Sequence, residues 1–263
     1  MAVQMADHFL IPDWPVPAGV KSAITLRSGG CSSAPFDSNN LAMHVEDCQA
    51  DVQSNRNNLV ETLALPTQPL WLDQCHGTDL VYVPDYLQEP QQPATADGSY
   101  SDQADTVCAI LTADCLPVLF CNQSAIQVAA AHAGWRGLCA GILRKTVATF
   151  KHSPDQVMVY LGPAIGPQVF EVGAEVLQEF LQTAQNKDHK QAVDKAFTPV
   201  TGIAGKYRAD LYALARAELI ACGVTHIYGG NYCTYTDQQR FYSYRRESKT
   251  GRNASLIWLS GQA

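Results

Sequence analysis

The longest apolar stretch of the chain, residues 107–121, limits the fold more than any other feature. Asp114 and Pro117 interrupt it, and it falls short of the ~20 apolar residues that a membrane-spanning helix needs. It reads instead as β-rich runs at 107–111 and 117–121. The polar Asn122-Gln123-Ser124 and another apolar run, 125–131, follow directly, so strand, turn and strand predict a β-hairpin. Further short β-rich runs stand at 21–27, 70–72, 80–83, 157–161, 226–228, 241–245 and 255–259. Helical spacing is clearest where Val52, Leu59, Val60 and Leu63 share one face. It recurs at Leu211, Leu214, Ala215, Leu219 and Cys222, with Asp210 as N-cap and Gly223 as stop. Two more helices are expected at 137–150 and about 174–181. Many strands irregularly interleaved with helices predict mixed sheets layered by helices, an α/β or α+β fold and not a regular doubly wound one.

No linker divides the 263 residues, and 1–263 is expected to be a single catalytic domain. The richest punctuation, from Pro84 through Pro90 and Pro93 to Gly98, marks a loop of the size that serves as a functional excursion or lid. With 46% apolar and 16% charged residues, the chain can bury a large core and is not of the disordered class. Eighteen Lys and Arg against 25 Asp and Glu give a formal charge of -7, without the broad basic face that sequence-independent nucleic-acid binding requires. Residues 1–17 lack a basic segment ahead of a continuous apolar one and carry Pro12, Pro15 and Pro17, so a cytoplasmic location is expected. Nine cysteines scattered without CxxC pairs fit reduced thiols.

The hairpin is where chemistry gathers. If Cys121 faces Ala125, Asp114 lies opposite His132; if Asn122 faces Ala125, Cys115 does. Opposed residues have Cβ atoms ~4.5–5.5 Å apart, close enough for a thiolate and an imidazole to share a proton or a metal ion. Alone, these positions would also suit a small buried hydrophobe and a core histidine. The flanking Gly134-Trp135-Arg136-Gly137, at a strand end and before a helix, favours a site, with Arg136 suited to an anionic group. A second histidine, His76, sits in Gln74-Cys75-His76-Gly77 beside Cys75, an alternative ligand that points to the opposite face on a strand. His76, Cys115 and His132 would make a three-ligand set with the fourth tetrahedral position open, the catalytic pattern for Zn2+.

These segments also resemble a known family. Arg27-Ser28-Gly29-Gly30, Asn55-Arg56, Gln74-Cys75-His76-Gly77, Thr112-Ala113-Asp114-Cys115-Leu116-Pro117 and Ala131-His132-Ala133-Gly134-Trp135-Arg136-Gly137 are similar to motifs of the YfiH, or laccase-domain, family. So are Leu161-Gly162-Pro163-Ala164-Ile165-Gly166, Phe241-Tyr242-Ser243-Tyr244-Arg245-Arg246 and Thr250-Gly251-Arg252, and together they run from about Leu26 to Trp258. The resemblance implies a four-layer α-β-β-α fold related to the cytotoxic necrotizing factor catalytic domain, and a zinc on the positions matched here by His76, Cys115 and His132. It implies phosphorolysis of adenosine, inosine, guanosine and methylthioadenosine, deamination of adenosine, and, from enterobacterial members, peptidoglycan editing that removes serine from a UDP-muramoyl precursor. Cys75 departs from the aliphatic residue usual in the family.

Deamination suits an open zinc position with a carboxylate to carry protons, and Asp114 is the candidate. The H-x-E with P-C-x-x-C signature of cytidine deaminases is absent. Phosphorolysis needs a phosphate pocket, for which Arg136 and Arg56, then Arg27, are the candidates. A metal-free rival uses Cys115 as nucleophile and His132 as base on an amide such as the serine-bearing precursor. Copper-dependent phenol oxidation ranks below zinc chemistry, since seven histidines without a His-x-His pair underprovide a multinuclear copper site. A binding module without catalysis is the remaining class, and it predicts that alanine at the three ligand positions leaves ligand binding intact.

Overall fold

The computed structural model describes residues 8–86 and 93–261, together with the backbone of residues 5 and 6. Two sheets stack face to face. One runs β1 (Met5–Ala6), β2 (Phe9–Leu10), β3 (Val20–Thr25), β14 (Asn253–Leu259), β6 (Val107–Thr112) and is antiparallel throughout. The other runs β13 (His226–Gly229), β9 (Val157–Leu161), β7 (Leu116–Asn122), β8 (Val128–Ala133), β5 (Gly98–Ser101), β4 (Leu80–Tyr82) and is mixed, parallel only at its two edge pairs. A small third sheet joins β10 (Glu171–Gly173), β12 (Lys206–Ala209) and β11 (Phe197–Pro199).

Strand alternation assigns each side chain to a layer. On β7, Leu119 and Cys121 enter the core between the sheets, with Ile24, Ile110, Ala130 and Ile257. Val118 and Phe120 point the other way, under the helices α2 (Trp135–Ala140), α3 (Ile142–Ala148), α4 (Ala174–Thr183), α5 (Lys187–Lys195) and α6 (Leu211–Ala221). On β14, Ala254, Leu256 and Trp258 face outward against Leu59 of α1 (Gln49–Leu63). The result is helix, sheet, sheet, helix, and because the middle strands are covered on both faces they read as continuous apolar runs.

Several elements fall as the sequence predicts. Helix α6 starts where Asp210 accepts from the N–H groups of Tyr212 and Ala213. Others differ for local reasons. The helix expected at 137–150 is two, because Gly141 at φ 93° ends α2 and starts α3, a conformation only glycine adopts without strain. Residues 241–245 form no strand: Tyr242 N–H donates to the Asn253 side chain and Arg245 N–H to Asp114, so side chains replace a ladder. The 70–72 run contributes a single bridge, Leu70 to Cys108. In the hairpin both expected registers are corrected to Pro117 opposite His132. Asn122 Oδ1 accepts from Ile126 and Gln127 N–H, drawing those residues into the turn and starting β8 at Val128. Of the loop expected at 84–98, residues 87–92 lie outside the described residues; its flanks are a 3-10 turn, Val83–Tyr86, and β5.

Candidate metal centre

His132, one residue before the end of β8, lies on the face of Val128 and Ala130 and is buried. Cys115 stands one residue ahead of β7. It is presented by a turn pinned through Asp114, whose φ of 90° is held by three bonds. Asp114 O accepts from Ile165 N–H (2.9 Å), Oδ1 from the Thr234 hydroxyl (2.6 Å) and Oδ2 from Arg245 N–H (2.7 Å). His76 lies in a loop rather than on a strand, at φ 63°. Gln74 clamps one side of that loop by exchanging bonds of 2.8 and 2.9 Å with the backbone of Leu111. Asp97, just ahead of β5, holds the other side: its carboxylate accepts from the backbone N–H groups of Cys75, His76 and Gly77 and meets His132 Nδ1 at 2.7 Å.

These elements bring His76, Cys115 and His132 together, with ligand atoms all within 4.8 Å of one another. Cys115 Sγ is 3.7 Å from His76 Nε2, and the imidazole planes meet edge to face at 4.8 Å. Around a tetrahedral zinc, sulfur and nitrogen ligands stand about 3.5 Å apart, given Zn–S of ~2.3 Å and Zn–N of ~2.0 Å. The Cys115–His76 pair therefore already stands near metal-ligand spacing, and the set of one sulfur and two imidazoles, within 4.8 Å, would draw closer around an ion. Gly134 makes room for it, since a Cβ there would lie 2.8 Å from His76 Cδ2 and 3.0 Å from Cys115 Sγ. Cys75 turns its thiol 3.3 Å from the Asp97 carboxylate, which pushes the thiol pKa up.

Burial alone would raise the Cys115 thiol, but the charge of His132 and bonds from both histidines bring it down to about 6. His132 moves the opposite way: burial disfavours its cation, yet Cys115 and Asp97 together raise it. Asp97, despite the cost of burial, is kept well below the usual carboxylate range by His132 and the Gly77 N–H.

The cluster forms part of the wall of a cavity of about 480 Å³. Asp114 and Arg136 line it. Arg56 and Arg27, the other expected phosphate ligands, are not among its lining residues. Arg56 donates to Leu41 O and stacks on Trp71, and Arg27 bonds Asp37 O and Gln238 O, near Asp37 and Glu247 carboxylates. In their place the cavity presents Arg245 and Arg252, both within motifs quoted above, with His44 and the aromatic Trp135, Phe170 and Tyr244. Asp97 gave no sequence signal, since Ala96-Asp97-Gly98 reads only as a turn. Among the described residues no helix is long and apolar enough to cross a membrane.

The family model described as multi-copper polyphenol oxidoreductase laccase matches residues 21–260. The chain is 48% identical over 254 residues to the Escherichia coli (strain K12) protein named purine nucleoside phosphorylase YfiH, covering 96% of this chain and 99% of that one. It is 50% identical over 253 residues to the Pseudomonas aeruginosa protein named purine nucleoside phosphorylase PA4543, with the same coverage. The crystal structure of Neisseria meningitidis protein NMB0706 superposes with a TM-score of 0.90 at 45% identity, over 97% of this chain and 100% of that one. That of YlmD from Geobacillus stearothermophilus gives 0.88 at 33% identity, over 98% of each. Motifs, layers and near-complete overlap agree, and the chain belongs to the YfiH, or laccase-domain, family.

Proposed function

We propose that this chain is a zinc-dependent purine nucleoside phosphorylase, acting on a purine nucleoside and inorganic phosphate. The observation that carries this is the company the metal cluster keeps. Arg136, Arg245 and Arg252 line the same cavity; among the described residues none of the three pairs with a carboxylate, and Arg245 and Arg252 each donate from Nη1 to backbone carbonyls, of Glu171 and of Thr250 and Gly251. Guanidinium forks match phosphate oxygens, and three of them in a protein of net charge -7 mark a place for an anion. The near-full-length relatives named purine nucleoside phosphorylase support the same reading.

His76, Cys115 and His132 would hold the metal, which when bound supplies Lewis acidity at the cavity wall. The arginines would bind and orient phosphate, and the exposed ring of Tyr244 offers a face for the base. One thiolate with two imidazoles suits a single zinc better than the several coppers of a phenol oxidase. Substrates extend in this proposal to adenosine, inosine, guanosine and methylthioadenosine, with adenosine deamination at the same centre and Asp114 as its proton carrier. Purified protein incubated with inosine should release hypoxanthine only when phosphate is present. Release without phosphate would reject phosphorolysis.

A second reading has a specific observation behind it. Cys115 lies within 4.8 Å of His132 on the cavity wall, with its thiol lowered to about 6 by the two histidines, as a nucleophile and base in a cysteine hydrolase would be; the UDP-muramoyl-serine precursor is the candidate amide. It predicts a covalent adduct at Cys115 in active, metal-free protein.

A further inference from the structure

Asp97 has no solvent exposure, yet its carboxylate meets no lysine or arginine within ion-pair distance among the described residues. Its partners are the N–H groups of three successive residues, Cys75 (3.2 Å), His76 (2.9 Å) and Gly77 (2.6 Å), the Cys75 thiol (3.3 Å) and His132 Nδ1 (2.7 Å). Successive N–H groups curled around one anion form a nest, here with His76 in the left-handed region at its middle. The backbone is engaged as well, because Asp97 O accepts from His132 N–H at 2.7 Å. One carboxylate therefore touches the loop of one metal-ligating histidine and the ring of the other.

We propose that Asp97 is the positioning residue of the metal centre: it fixes the ring and tautomer of His132 and folds the turn that carries His76. The inference rests on the metal half of the function proposed above and is independent of the substrate. A carboxylate only accepts hydrogen bonds, so His132 must carry its proton on Nδ1, which leaves the Nε2 lone pair to a metal. Asparagine keeps the size but has one acceptor oxygen; its amide NH2 would confront either the nest or the His132 Nδ1–H.

The test compares wild type, Asp97→Asn and Asp97→Glu as full chains, measuring zinc affinity by chelator competition and histidine tautomers by long-range 1H–15N spectra. Asp97→Asn should weaken zinc binding about 10–100-fold, as loss of an outer-shell partner does elsewhere, and leave His132 as mixed tautomers. Asp97→Glu, which keeps the charge, should fall between. Affinity within threefold of wild type and an unchanged His132 tautomer in Asp97→Asn would overturn the proposal. Should that variant fail to fold, zinc-loaded wild type still decides: a His132 Nδ1–H proton shifted far downfield and slow to exchange, as a hydrogen bond to buried Asp97 requires, supports the proposal, and an unshifted, freely exchanging one, or protonation on Nε2, refutes it. A failed inosine assay would alter none of these readings.

Discussion

Gly134→Ala isolates the metal centre from the rest of the fold. Gly134 has φ -61° and ψ 157°, values any residue adopts, so alanine strains no backbone. Its effect is the added Cβ, 2.8 Å from His76 Cδ2 and 3.0 Å from Cys115 Sγ. Carbon atoms in contact sit ~3.5 Å apart or more, so His76 must retreat by about 0.7 Å. Metal–ligand distances tolerate roughly ±0.2 Å, less than a third of that displacement. The crowding itself costs about 1–3 kcal/mol, too little to unfold a domain of ordinary stability. Gly134→Ala should therefore melt cooperatively, within several degrees of wild type, while its zinc content after gel filtration falls well below one per chain. Elemental analysis and chelator competition read this directly. A variant that retains one zinc with affinity within threefold of wild type would refute the packing argument.

In metal-free protein, Cys115 should alkylate at a nearly constant rate from pH 8 to 7 and more slowly as pH falls through about 6, because the thiolate is the form present above that value. Cys108 and Cys121, pushed up to about 12 by burial, should not react until the protein unfolds, as peptide mapping would show. Arg252→Ala and Arg245→Ala should raise the KM for phosphate about 10–100-fold, the worth of a charged hydrogen bond, with zinc content unchanged. Arg27→Ala, whose side chain does not line the cavity, should leave that KM in place; equal effects at Arg27 and Arg252 would contradict the cavity assignment. Leu119→Ala, emptied between the two sheets, should lose about 2–5 kcal/mol in denaturant titration.

The layers were legible because the middle strands are buried on both faces, which leaves unbroken apolar runs such as 107–111 and 157–161. The hairpin was legible as a pair of strands but not in register, since the Asn122 side chain, and not strand hydrophobicity, sets the turn. Cys115 reaches His132 all the same, because it leads into a strand whose second residue, Pro117, pairs with the histidine. His76 is different: nothing in its 39- and 56-residue separations from Cys115 and His132 specifies contact, so only its residue type suggested it as a third ligand, and the family resemblance then strengthened that choice. Arg56 and Arg27 lie off the cavity wall because which surface a guanidinium faces is set by tertiary packing, here against Trp71 and Tyr242, and not by its motif. Asp97 was missed since its role lies in bonds to residues 20–35 positions away.

X-ray absorption at the zinc edge of the purified protein tests the centre most directly. One sulfur at ~2.3 Å and two imidazole nitrogens at ~2.0 Å, with a further light atom completing the shell, is the expected spectrum, and the sulfur should vanish in Cys115→Ser but persist in Cys75→Ser. Two sulfurs, or a sulfur lost with Cys75 instead, would contradict the assignment of His76, Cys115 and His132 as the ligand set.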